Sequence, residues 1–219
     1  ERCMAISVAV AIGDSADKLI ENITPKINNI KVGPYNDETS DMGPVVSKDA
    51  YERINGLIDS GVEEGANLIV DRRNIKLQGY ENGYFIGPCL FDNVKDNMKI
   101  YKEEIFGPVL SIVRAKNYEE GLQLVKDNPY GNGCSIFTRD GDTARNFSSE
   151  ANIGMVGVNI PIPVPVAYFS FGGWKNSIFG GHNAYGMEAI RFYTHTKTIT
   201  SKWPEGIRSG AQFTMPTLG

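Results

Sequence analysis

The 219 residues carry 22 basic and 26 acidic side chains, for a net charge of −4, and 41% of them are hydrophobic. This balance gives no basic footprint for nucleic acid and no polybasic stretch for an anionic membrane, and the longest apolar run is about half a membrane span. A chain of this length buries about 70% of its unfolded surface, so it needs no disulfide or metal staple.

The chain opens Glu1-Arg2-Cys3, without an initiator Met, and enters an apolar run at once. Termini usually fray in polar sequence, so a piece cut from a longer protein is expected. Met4 to Ile12 is nearly continuous, branched and apolar, as in a strand buried on both faces. Ser15 opens a helix whose apolar positions Ala16, Leu19, Ile20, Ile23, Ile27 and Ile30 step by three and four, with Pro25 expected to kink or split it. Gly33 to Gly43 reads as a loop. Ser47 is an N-cap for a second helix with Ala50, Tyr51, Ile54, Leu57, Ile58 and Val62 on one face.

Asn67 to Asp71 and Tyr84 to Val94 read as extended segments, the second interrupted by Gly87-Pro88. Pro108 to Ala115 reads as a strand. Asn117 with Glu120 resembles a capping box for a helix through Val125, stopped before Asn128-Pro129. A strand over Cys134 to Thr138, a helix over Thr143 to Ala151 and a strand over Ile153 to Asn159 follow. This alternation predicts an α/β fold: an open, mainly parallel sheet with flanking helices. Pro161, Pro163 and Pro165 impose an extended loop, and a short helix spans Met187 to Phe192. Thr194 to Ser201 then alternates as a polar, period-two strand, suited to an edge or to pairing with another subunit.

Cys3, Cys89 and Cys134 are odd in number and widely spaced, which is neither a disulfide framework nor a C-x-x-C motif, and a reducing compartment follows. His182 and His195 alone cannot build a zinc site, so no metal is expected. The sequence has no G-x-G-x-x-G, no P-loop and no G-x-S-x-G. What remains is Cys3 beside Arg2, and Glu103-Glu104-Ile105-Phe106-Gly107-Pro108-Val109. A thiol is a strong nucleophile, and a neighbouring cation favours thiolates. Read locally, however, Cys3 is a small buried hydrophobe and the acidic-aromatic segment is a turn feeding a strand.

Together the two features resemble the aldehyde dehydrogenase superfamily: Arg2-Cys3-Met4-Ala5 before a buried strand, then Glu103 to Pro108 about a hundred residues later. Gly43-Pro44-Val45-Val46-Ser47, Gly87-Pro88, Asn128-Pro129-Tyr130-Gly131-Asn132-Gly133, Phe171 to Ser177 and Lys197-Thr198 match in the same order. Within that superfamily the likeness is to the CoA-acylating methylmalonate (malonate) semialdehyde dehydrogenase branch. It is carried by Glu1 to Ala5, Arg191 to Thr194, Lys197 to Thr200, Trp203 and Met215-Pro216-Thr217. Cys89 and Cys134 stand where that branch leads one to expect threonine.

The resemblance implies a C-terminal half: a catalytic domain over residues 1–193, then an oligomerisation strand and tail over 194–219, with the NAD-binding half outside. It implies Cys3 as the nucleophile and Arg2 as a clamp on the substrate carboxylate, with Phe171 lining the aldehyde pocket. Glu104 and Phe106 then meet the nicotinamide ribose and ring of NAD. Coenzyme A is the implied co-substrate, and the Cys3 N–H supplies one oxyanion donor. A second donor, an asparagine side chain, lies outside these residues, so the fragment alone is expected to be inactive. A homodimer or homotetramer is implied, bacterial cytoplasmic or mitochondrial. A hydrolytic NAD(P)-dependent relative and a non-catalytic assembly domain are the alternatives. His195 lies on the pairing strand, and a Cys3–His195 dyad is rejected.

Overall fold

A computed structural model describes residues 2–203. Glu1, Met215-Pro216-Thr217 and the tail beyond Trp203 lie outside the described residues. Fourteen elements follow in order: β1 (Val8–Ile12), α1 (Ser15–Asn29), α2 (Lys48–Glu63), β2 (Asn67–Val70), β3 (Cys89–Asp92), α3 (Lys99–Lys102), β4 (Val109–Ala115), α4 (Tyr118–Asp127), β5 (Tyr130–Gly131), β6 (Gly133–Ile136), α5 (Gly141–Glu150), β7 (Met155–Val158), β8 (Trp174–Lys175) and α6 (Gly186–Tyr193). No helix among them is long and apolar enough to cross a membrane.

The main sheet runs β1-β4-β3-β2. β4 is parallel to both β1 and β3, and only β2 is antiparallel. Consecutive strand residues point to opposite faces, and the core divides accordingly. Cys89 and Phe91 of β3 with Val109 and Val113 of β4 pack against Ile54, Leu57 and Ile58 of α2. Leu90 and Ile112 pack on the other side, with Ala16 and Ile27 of α1. The sheet is thus covered on both faces, which explains why its strands read as apolar runs. A second parallel pair, β6 with β7, forms its own small core around Phe147, Ala151 and Ile153.

The local signals work as read. Ser47 Oγ accepts from the Ala50 N–H at 3.2 Å and starts α2. Asn117 Oδ1 accepts from the Glu120 N–H at 2.9 Å, while Glu120 reaches back to the Lys116 N–H rather than to Asn117. Two expectations are corrected. Pro25 does not split α1, which runs unbroken from Ser15 to Asn29. Pro25 and Glu21, whose carbonyl loses its helical donor, are both exposed, so water can replace that bond. β1 starts at Val8 rather than Met4, because Cys3 and Met4 occupy a turn. Residues 194–201 are each exposed and none has a ladder partner among the described residues, so their pairing with another subunit stays an expectation. The period-two alternation is present, but a strand needs a hydrogen-bonding neighbour.

Candidate active site

The register of the sheet decides what meets what. Val8 of β1 lies opposite Ser111 of β4, and the Ser7 carbonyl accepts from the Ser111 N–H at 3.0 Å. Parallel neighbours begin at the same edge. The segment carrying Arg2 and Cys3 and the segment carrying Glu104 and Phe106 therefore enter adjacent strands from one side.

Cys3 sits in a turn closed by the Ala5 N–H on the Arg2 carbonyl at 2.9 Å. Cys3 and Arg2 are both exposed. Asn132 holds this turn: its side-chain amide lies 3.4 Å from the Cys3 carbonyl and 3.1 Å from Met4 Sδ. Asn132 is fixed in turn because its carbonyl accepts from the Met155 N–H at 3.1 Å, at the head of β7. Of the three cysteines only Cys3 is exposed. Cys89 is buried with Sγ 3.7 Å from the Gly87 carbonyl, and burial pushes its thiol up to about 11. Burial also raises Cys134.

Glu104 is exposed and Phe106 is 43% exposed. Phe106 has φ 49°, the left-handed region. A bulky residue there costs about 1–3 kcal/mol and persists only where its surroundings over-determine it. The surroundings come from α2. Arg53 donates from Nη1 to the Glu104 carbonyl at 2.9 Å and from Nη2 to the Ile105 carbonyl at 2.6 Å. A Cβ on Gly107 would fall 2.7 Å from Ile54 Cδ1, so only glycine lets the loop lie this close to the helix.

Phe171 is half-buried, bridged to Ala184 through reciprocal backbone bonds of 2.9 and 2.8 Å, with its ring 5.8 Å from Tyr185. The following residues connect it to the Cys3 side. A Cβ on Gly173 would lie 3.2 Å from Asn132 Cα, and Ser177 Oγ accepts from the Gly131 N–H at 3.0 Å. The segment that follows Phe171 thus lies against Asn132, the residue that holds the Cys3 turn.

Two contributors escaped the sequence reading. Arg53 was one polar position on the outer face of a helix, and its partners lie 51 and 52 residues away. Asn132 was quoted in a motif without a role, because its contact with Cys3 spans 129 residues.

The aldehyde dehydrogenase family model matches residues 1–199. The chain is 54% identical over 220 residues to the malonate-semialdehyde dehydrogenase of Pseudomonas aeruginosa, covering 100% of this chain and 44% of that relative. It is 47% identical over 221 residues to the human mitochondrial acylating methylmalonate-semialdehyde/malonate-semialdehyde dehydrogenase, covering 100% of this chain and 41% of that one. A Sinorhizobium meliloti crystal structure complexed with NAD, assigned as a methylmalonate-semialdehyde dehydrogenase, superposes with a TM-score of 0.92 at 63% identity. It covers 95% of this chain and 43% of its own. The chain therefore spans less than half the length of these relatives.

Proposed function

The chain belongs to the aldehyde dehydrogenase family, and on that footing we propose that it is the catalytic part of an NAD-dependent, CoA-acylating semialdehyde dehydrogenase. Its substrates are methylmalonate or malonate semialdehyde, and its products propionyl-CoA or acetyl-CoA with CO2. The observation that carries the reading is the common edge at which the exposed Cys3 turn and the Glu104–Phe106 loop enter neighbouring parallel strands.

Cys3 Sγ adds to the aldehyde carbon, forming a C–S bond and an oxyanion. The Cys3 N–H donates one hydrogen bond to that oxygen, and a preorganised donor here is worth a few kcal/mol. Arg2, next in the chain, offers a planar fork suited to the substrate carboxylate. Phe171 lines the pocket. Cys3 then holds the acyl group as a thioester, which the CoA thiol attacks; the C–S bond to Cys3 breaks and the thiolate is regenerated. Loss of the carboxylate as CO2 breaks its bond to the α carbon, which takes up a proton from water in its place, and this accounts for the shorter acyl product.

NAD, when bound, accepts hydride from the substrate carbon; that chemistry is its own. The exposed Glu104 carboxylate suits two adjacent ribose hydroxyls, since an ionised carboxylate only accepts, and the partly exposed Phe106 ring offers a face for the nicotinamide. These residues fit the nicotinamide end of the cofactor, and the rest of its binding surface falls outside this chain. The isolated chain is accordingly proposed to be inactive, with its compartment bacterial cytoplasm or mitochondrial matrix.

Turnover of malonate semialdehyde with NAD and CoA by the full-length protein tests the reading. An acyl-CoA product and at least a 10³-fold rate loss in Cys3→Ala are expected. A free-acid product would instead assign the hydrolytic branch, and a Cys3→Ala variant with near-normal rates would refute the nucleophile.

A further inference from the structure

We propose that Arg53 is a positioning residue for NAD: through the backbone it fixes the loop that presents Glu104 and Phe106. The proposal rests on the cofactor reading above and deepens it. Arg53 does not itself need to touch NAD.

Three observations meet on this loop. Arg53 binds two successive carbonyls, those of Glu104 and Ile105, at 2.9 and 2.6 Å. The next residue, Phe106, is held in the left-handed region at φ 49°. The residue after that, Gly107, lies against Ile54, the neighbour of Arg53 on α2. One helix therefore grips the loop on both sides of its strained residue. The helix is itself rigid, with its start capped by Ser47 and with Ile54, Leu57 and Ile58 in the core.

The chemistry selects arginine. Its guanidinium presents several N–H groups in a fixed fork, so one side chain can satisfy two adjacent acceptors in a set geometry. Lysine offers a compact point charge on a flexible stem and would hold the pair less well. Releasing either carbonyl frees the Glu104 peptide to rotate and lets Phe106 relax toward ordinary backbone angles. The carboxylate and ring would then no longer be presented together.

The test compares wild type, Arg53→Met, Arg53→Lys and the control Lys48→Met in the full-length protein. Lys48 is the first residue of the same helix and pairs with Glu52 at 3.4 Å. Calorimetry gives the affinity for NAD, and hydrogen exchange reads the amides of residues 104–107. Arg53→Met is expected to weaken NAD about tenfold and to speed exchange of those amides about tenfold, as for loss of charge-assisted hydrogen bonds. Arg53→Lys should fall between, and Lys48→Met should match wild type. Exchange in β1 and β4 should stay unchanged in all four, which separates loop release from unfolding. Unchanged loop exchange, or faster exchange with unchanged NAD affinity, would overturn the proposal while leaving the functional reading intact. Failure of the wild type to bind NAD would refute the functional reading and the cofactor role of Arg53 with it.

Discussion

Cys3 and Cys89 show how much position changes one side chain. Cys3 lies exposed in a turn, whereas Cys89 is buried and its thiol is pushed up to about 11. Thiolate fraction and access together govern reactivity. With a disulfide reagent at neutral pH, Cys3 is therefore expected to react at least tenfold faster than Cys89 or Cys134, which should label at full rate only after unfolding. Peptide mapping of the labelled protein checks this order. The residues of the candidate site were legible because each stands in a short contiguous motif: Arg2-Cys3 before a strand, and Glu104 to Pro108 before another. Their supports were not. Arg53 and Asn132 act on partners far along the chain, and no local pattern marks an arginine whose fork meets two carbonyls some fifty residues on.

Elements set by local chemistry followed the sequence closely. α2 and α4 begin at side-chain caps, Ser47 and Asn117, whose partners are three residues away. The two-residue strands β5 and β8 were invisible, because Tyr130 pairs with Lys175 across a long separation. Lys175 is the pin of that pairing. Its ammonium donates to the carbonyls of Val125, Lys126 and Asn128 at 2.9–3.0 Å, closing the end of α4, and burial pulls its pKa down. Lys175→Met leaves those acceptors without their donor and is expected to cost about 1–3 kcal/mol in urea unfolding.

A second tie joins three elements. Arg114 of β4 donates to both oxygens of Asp92 on β3, at 2.9 and 2.8 Å, and to Asp17 on α1 at 2.6 Å. Burial is the largest single influence and acts to raise the Asp92 pKa, but the Arg114 hydrogen bonds, the Asn93 N–H and the positive charges of Arg114 and Lys95 together outweigh it, and the net shift is downward. A carboxyl with a folded pKa below its unfolded value of about 3.9 contributes stability that is complete above that value. The contribution is lost as pH falls through the lower folded pKa. Asp92→Asn should therefore lower the urea midpoint at pH 6 and flatten its fall between pH 5 and pH 3 relative to wild type. Parallel slopes for the two proteins would remove Asp92 from the acid transition.

At the scale of the whole molecule, a covered, mainly parallel sheet brings two signature segments into neighbouring strands from the same side. The alternating composition of the chain foretold that architecture, since buried parallel strands need apolar residues on both faces. The end of the described chain was less legible. Residues 194–201 alternate like a strand, yet pairing is a property of two segments, and the second is absent from the described residues. Phe192, Tyr193, Ile199 and Trp203, in and around this segment, are all more than 60% exposed. We propose that this segment pairs with another subunit. Light scattering should then give a mass above the 24.1 kDa of one chain, and a strict monomer at high concentration would count against it.

The central claim is that Cys3 carries the acyl group. It is tested most directly by incubating the full-length protein with malonate semialdehyde and NAD, omitting CoA, quenching in acid and sequencing the peptides by mass spectrometry. A thioester-linked acyl group on the peptide containing Arg2 and Cys3, discharged on adding CoA, is the predicted result. An unmodified Cys3 in a protein that still reduces NAD, or the acyl group on another residue, would contradict the account.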